Sequence, residues 1–506
     1  MKIKELLKPK YLFTIFTILI CVMIIDVFRI GVANNGDFGR VMYTVGINDY
    51  NIPQDTKYFK FIHNEYNMDK ENDLILKKIN GEKVELYYFT TQFFFIFIAQ
   101  IFSMFISVNH FYLIILANIY IVFFGIAMYI IFSCVKCKSK VLTCIIDFLI
   151  MIIATNTENI AYFNSFYGEP VSYISLLFII GCSLKCIKQK SFESKYYVLL
   201  LISMAFFVGA KQQNTILVVP LIIFIIFLFF KYVKSLKYRA FTIISAILIG
   251  IISFYSFATI TEDISACTAY HSVFVGVLEV TDDKEAAMEY FDLDKDLLVL
   301  QGYDYWQADN VLKEIKGDNW QEYKKNQIDN KLNRTKVIKY YLGHFDELIK
   351  GWIYTLENSF ANGKDFFEYL PPKLLNKGYK FKDFIVWNKI KRILFYNIIP
   401  IYASVIIFYL LIFIDVCRRI FKYFKDKNDY NLVFAILILI MMSISGIQFA
   451  ITYISNGHAD IDKQIYLYNV ITDILIAIYI YFCCKVGYNY FNKLKAKIKT
   501  REIIGG

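Results

Sequence analysis

The stretch TQFFFIFIAQIFSMFIS, Thr91 to Ser107, decides how this chain is threaded. It is apolar and long enough to be counted as a crossing, so its length does not decide its placement. Ten other apolar stretches are long enough to cross, or nearly so: Tyr11 to Ile30, Phe111 to Ser133, Val141 to Thr155, Val171 to Leu184, Tyr196 to Gly209, Thr215 to Phe230, Ala240 to Ala258, Ile393 to Val416, Asn431 to Ile454 and Ile465 to Cys484. Basic clusters flank them at Lys2 to Lys10, Lys136 to Lys140, Lys185 to Lys195, Lys231 to Arg239, Arg418 to Lys425 and Lys493 to Arg501. The positive-inside rule assigns such clusters to the cytoplasm. Ten crossings put all six on one side, whereas counting Thr91 to Ser107 as an eleventh separates the first cluster from the rest. The expected fold is therefore an all-α polytopic membrane protein with about ten transmembrane helices and an interfacial helix in the first outer loop.

Composition agrees: 57% of the 506 residues are apolar and 18% aromatic, which places the chain among membrane proteins. Its net charge of +11 sits beside apolar runs and sets orientation, so no nucleic-acid partner is expected. Tyr11 to Ile30 lacks a small-residue cleavage site and is interrupted by Asp26 and Arg29, and reads as a retained first span. Of ten cysteines only Cys267 should face outward, so no disulfide framework is available. Cys134 and Cys137 form a CxxC beside Cys182 and Cys186, but apolar packing is preferred to a zinc site.

Two substantial outer regions follow, Gly31 to Thr90 and Thr259 to Lys391, with short outer loops at Glu158 to Pro170, Ala210 to Asn214 and Ser455 to Gln464. Three parts are expected: residues 1–258, a transmembrane module with outer loops 31–90 and 158–170; residues 259–391, a mixed, mainly helical extracytoplasmic domain; and residues 392–506, C-terminal spans and a basic tail. Both termini fall in the cytoplasm.

Chemistry is expected on the outer face. The first outer loop opens NNGDFGR, Asn34 to Arg40, where two glycines allow a tight turn presenting Asp37 beside Arg40. A carboxylate there can accept a proton from an attacking hydroxyl, and an adjacent cation can stabilise a departing phosphate. The same residues would also serve simply to cap a span. The second loop, ENIAYFNSFYGEP, adds Glu169 at the start of a span. Lys211 in GAKQQN and Lys463 in NGHADIDKQ are cations on the disfavoured side, suited either to holding an anion or to snorkelling. Asn35, His271, His458 and Asp462 are further candidates for substrate contact; Asp147 and Asp473 mark helix interfaces. No P-loop, HExxH or GxSxG is present, and with no long cytoplasmic segment the donor should arrive through the membrane already activated.

This layout resembles the GT-C superfamily of membrane glycosyltransferases, whose first outer loop carries an acidic catalytic base, whose second carries another acidic motif, and in which a Lys or Arg follows the fifth span. Asp37, Glu169 and Lys211 match those features. More narrowly, NNGDFGR, the FYGEP run at Phe166, YHSVFVGVL at Tyr270 and DIDKQIYLYNVITD ending at Asp473 are similar to bacterial surface-glycan hexose transferases. The resemblance departs at Gln464, where His is expected. It implies inverting transfer of a hexose from a polyprenyl-phosphate donor to an acceptor glycan outside the bacterial cytoplasmic membrane. Asp37 and Glu169 would be catalytic, with Asp37 the base. Arg40, Lys211 and Lys463 would take the donor phosphate. No cofactor is assigned; superfamily members differ in metal dependence, and no clean ligand cluster appears. The rival readings are a flippase or exporter of lipid-linked glycans and a glycan polymerase or ligase.

Overall fold

A computed structural model describes residues 8–504, except 59–61, 83–87, 138, 260–261, 360–367 and 397–399. Parts of the N-terminal basic cluster, Lys138 and residues 397–399 of the Ile393 to Val416 stretch thus lie outside the described residues. The apolar helices, in chain order, are α1 (Pro9–Val22), α2 (Phe93–Met104), α3 (Leu113–Cys134), α4 (Lys140–Ala154), α5 (Glu169–Gln189), α6 (Lys195–Gly209), α7 (Val218–Lys231), α8 (Leu236–Ala258), α9 (Ile401–Asp426), α10 (Asp429–Asn456) and α11 (Tyr466–Ile504).

Eight of these, with their flanking turns, are long and apolar enough to cross a membrane. Two expected spans form shorter helices: α4 and α6 have 15 residues each, about 22 Å at 1.5 Å per residue. The structure shows why α6 stops where it does. The Gly209 carbonyl is taken by the Thr91 N–H at 2.9 Å, and the chain turns away. The expected span from Ile393 is also shifted, because Ile393 belongs to a separate helix, Val386–Tyr396, and α9 starts after Pro400. Proline at that position, lacking an N–H, suits a helix entry.

Helix α5 is the centre of the bundle. Its most apolar window is 89% buried, against 22% for α8 and α9, and it packs against α3, α6, α10 and α11. The connections carrying the basic clusters gather at one end. There Lys10 donates to Tyr129 (3.2 Å), Lys188 to the Ser133 carbonyl (2.8 Å), and Lys231 pairs with Asp429 (3.3 Å).

Helix α2 both starts and finishes at the opposite end. At its start, Thr90 Oγ1 donates to the Ala210 carbonyl (2.9 Å) and Thr91 Oγ1 to that of Phe206 (2.7 Å). Past its far end the chain enters strand β4 (His110–Tyr112), which pairs antiparallel with β3 (Glu65–Met68), itself paired with β2 (Ile47–Asn48). With 12 residues α2 rises about 18 Å. Strands also correct the all-helical expectation at β1 (Gly31–Val32), which pairs with β5 (Glu368–Tyr369). Their two- to four-residue lengths leave no alternation to read in the sequence.

Residues 262–357 build a second, separate core around Tyr270, Phe274, Met288, Phe291, Leu300, Ile328 and Tyr341, joined to the bundle through Tyr453 of α10. The approach is tight at Gly457, which has φ +55°. A β-carbon there would lie 2.2 Å from the Val275 carbonyl oxygen.

Candidate functional site

At the end opposite the basic clusters, three loops and the start of α5 converge. The Asn34 side chain accepts from the N–H groups of Gly36 (2.8 Å) and Phe38 (3.2 Å), closing a turn that Gly36 completes at φ +99°. The turn docks on the second loop: buried Phe38 packs edge-on against Phe166 and Tyr167, with centroids 5.5 and 4.9 Å away. The Tyr167 hydroxyl donates to Asn35 Oδ1 (2.8 Å) and accepts from the Asn35 N–H (3.1 Å). NNGDFGR and FYGEP, 132 residues apart at this contact, thus form one unit.

Asp37 is held there by two cations. Oδ1 bonds Arg40 and Oδ2 bonds Lys463. Lys463 is almost fully buried at 3% exposure, whereas the Asp37 side chain keeps 27%, so an incoming group can still reach the carboxylate. The Lys463 ammonium also lies 4.5 Å from the Tyr167 ring centroid and 3.4 Å from Asn35 Oδ1. Beside this unit Lys211 pairs with Glu169 at 2.9 Å, the latter buried at the N-terminus of α5. A carboxylate in a first turn is favoured by the helix dipole, and Pro170 suits the same turn. Lys211 adds to the field on Asp37.

Burial opposes ionisation of Asp37, but Lys463 and Arg40, then Lys211, outweigh it and hold the carboxyl well below the usual range. Named charges in the unit are three cations, Arg40, Lys211 and Lys463, against two carboxylates, Asp37 and Glu169. Asp460 adds a further negative field at Tyr167, so the three cations sit in a nearly balanced cluster.

Two backbone features fix the spacing. A β-carbon on Gly168 would lie 2.2 Å from the Ala210 carbonyl oxygen, so glycine alone lets the Glu169 turn meet the Lys211 loop. Gln213 Nε2 donates to the Gln464 carbonyl (3.1 Å), while Gln448 Nε2 donates to the Gln213 carbonyl (3.1 Å). The two lysine loops are thereby tied together through α10. At Gln464, where the resemblance expects His, this tie uses the backbone.

Three participants were not singled out from the sequence: Tyr167, Gln213 and Tyr88. Burial pushes the Tyr88 hydroxyl up to about 12, with Arg40 opposing and Asp37 and Glu169 adding, so it lies within the fields of all three. Tyr167 sits inside a quoted motif and was within reach of a closer reading. Tyr88 and Gln213 owe their places to tertiary packing alone.

Asp37, Arg40, Asn35, Glu169, Lys211 and Lys463 are therefore brought together. The remaining candidates are held elsewhere. His271 is buried and its Nε2 accepts the Tyr305 N–H at 3.0 Å, so burial, which lowers its pKa, and this bond both favour the neutral ring. It braces the second core. The His458 ring stacks on Tyr354 with centroids 3.6 Å apart, and Asp462 lies partly buried one residue before Lys463. Asp473 pairs with buried Lys391 at 2.9 Å, and Asp147 is buried in α4. All ten cysteines are free thiols, and among the described residues no three His, Cys, Asp or Glu side chains gather as metal ligands.

Next to the Asp473 and Lys391 pair, Glu158 accepts from Asn388, whose Oδ1 accepts from Asn156 (3.2 Å). Burial pushes the Glu158 carboxyl up from 4.5 to about 7, with Lys391 and Asn388 opposing. Between those values the folded state binds this proton and the unfolded chain does not. The stability contributed at this position therefore falls as pH rises from about 4.5 to 7. Glu158→Gln should flatten that part of the profile of melting temperature against pH; an unchanged slope would remove Glu158 as its source.

No curated protein and no solved structure matches the chain. A family model described as the YfdI N-terminal transmembrane domain matches residues 1–502. With eight helices fit to cross a bilayer and a match over nearly its whole length, the chain is a multi-pass membrane protein that belongs to the YfdI N-terminal transmembrane domain family.

Proposed function

We propose that this protein is an inverting glycosyltransferase of GT-C type, which moves a hexose from a polyprenyl-phosphate donor to a surface glycan on the extracytoplasmic side of a bacterial membrane. The observation that carries the reading is the partly exposed Asp37 carboxylate held between Arg40 and Lys463, with the Lys211 and Glu169 pair alongside, at one end of an apolar bundle. The apolar bundle suits the polyprenyl chain, and the three cations Arg40, Lys211 and Lys463 suit its phosphate. The end carrying the basic clusters is then cytoplasmic, α4 and α6 complete ten crossings, and α2 lies in the outer interface.

In this reading the acceptor hydroxyl attacks the anomeric carbon as its bond to the phosphate oxygen breaks. Asp37 takes the hydroxyl proton. The polyprenyl phosphate leaves with the bonding pair, and its added charge falls on Arg40, Lys463 and Lys211. Glu169 fixes Lys211. The Cys267 thiol of the helix Glu262–Ser272 is within the fields of Arg40 and Asp37, and residues 259–391 would receive the acceptor.

Lys211→Gln should raise the donor KM by about ten- to a hundredfold, the worth of one hydrogen bond to a charged group, while leaving the acceptor KM unchanged. Steady-state transfer from a radiolabelled polyprenyl-phosphate hexose measures both. A rise confined to the acceptor KM would take Lys211 off the donor phosphate.

A further inference from the structure

Both carboxylate oxygens of Asp37 are occupied, Oδ1 by Arg40 and Oδ2 by Lys463. These are two of the three cations that the proposed function gives to the donor phosphate. Lys463 is nearly buried, and its other neighbours here are Asn35 Oδ1 at 3.4 Å and the Tyr167 ring at 4.5 Å. Glu169 is already engaged by Lys211. The carboxylate and an incoming phosphate therefore compete for Lys463 and for the Nη2 group of Arg40.

Resting on that proposed function, we infer that Asp37 is an intramolecular placeholder for the donor's phosphate: the phosphate displaces it from Lys463 and Arg40, and the displacement arms it as a base. A carboxylate bonded to two cations has little proton affinity. When the phosphate takes those donors, one step readies the cations for the leaving group and returns Asp37 toward the ordinary carboxylate range, where it accepts a proton more readily. The base is thus weak in the empty site and strong in the loaded one. No proton or electron is transferred in the exchange itself; only hydrogen bonds change partners.

The test is binding rather than turnover. Polyprenyl monophosphate, with polyprenol as the uncharged control, is titrated into the full chain in lipid nanodiscs, as wild type, Asp37→Asn and Lys463→Gln. Asp37→Asn should bind the phosphate at least about tenfold more tightly than wild type, and Lys463→Gln more weakly, with polyprenol binding alike in all three. Removing the carboxylate leaves Lys463 buried without its anion, so Asp37→Asn should also melt lower when empty and gain more in melting temperature from the phosphate than wild type does. This second readout holds even where the empty variant is poorly folded. Wild-type binding with no tightening and no larger thermal gain in Asp37→Asn would overturn the placeholder while leaving the donor reading in place. Absence of phosphate-dependent binding in wild type and Asp37→Asn alike would overturn both.

Discussion

Asp37→Asn should lower the rate of hexose transfer by two to four orders of magnitude, the range typical of a missing general base. The amide keeps the shape of the side chain and can still accept from Arg40, so the turn closed by Asn34 and Gly36 has no steric reason to open. What it cannot do is take a proton. Wild-type activity should also persist at acid pH. Arg40 and Lys463 hold the Asp37 carboxyl low in the empty site, so protonation of free enzyme at this residue falls below the range where an ordinary aspartate titrates. The profile of kcat/KM against pH, which reports the free enzyme, checks this. An acid limb near the usual aspartate value would contradict the two-cation clamp. A variant that keeps wild-type turnover would remove Asp37 from the chemistry altogether.

Gly168→Ala should be nearly as damaging without touching a charged group. Its β-carbon would sit 2.2 Å from the Ala210 oxygen and 3.1 Å from the Ala210 carbon, both backbone atoms. Backbone cannot swing aside as a long side chain does, so the two loops must part. Overpacking of this kind costs roughly 1–3 kcal/mol. The larger effect is on the site, since Glu169 follows Gly168 and Lys211 follows Ala210, and separating the loops opens the 2.9 Å ion pair. Misplacement of a catalytic group by about 1 Å can cost a hundredfold in rate. Expected together are a modestly lower melting temperature and a loss of transfer far beyond it. A melting loss with transfer intact would show that the pair need not be close.

Much of the architecture was legible because the bilayer imposes it. Apolar length marked the helices, and the positions of the basic clusters kept Thr91 to Ser107 from being read as a crossing. In the structure both ends of α2 are tied to the same end of the bundle. Helix ends were less legible, because they are set by particular contacts. The end of α6 at Gly209 falls where the sequence reading put it, whereas the stretch from Ile393 is divided around Pro400. The short strands pair segments as distant as Gly31 and Tyr369, with no pattern long enough to betray them.

For the site, residue type was informative where the local surroundings made it unusual. Asp37 between two glycines, and Lys211 and Lys463 away from the basic clusters, stand out in the sequence, and the structure draws them into one unit. The contact of Asp37 with Lys463 spans 426 residues and depends on how α1, α5 and α10 pack, which no local pattern encodes. His271 shows the converse. Rarity made it a candidate, yet its ring accepts a backbone N–H from Tyr305, 34 residues on, inside the second core.

The most direct measurement is hexose transfer by the wild-type protein in reconstituted proteoliposomes, supplied with radiolabelled polyprenyl-phosphate hexose and with the unmodified surface glycan from cells lacking this protein. The proposed function predicts label covalently bound to the glycan, with the anomeric configuration inverted relative to the donor. Label that never reaches glycan, while lipid-linked glycan moves from one leaflet to the other, would contradict it and favour a flippase.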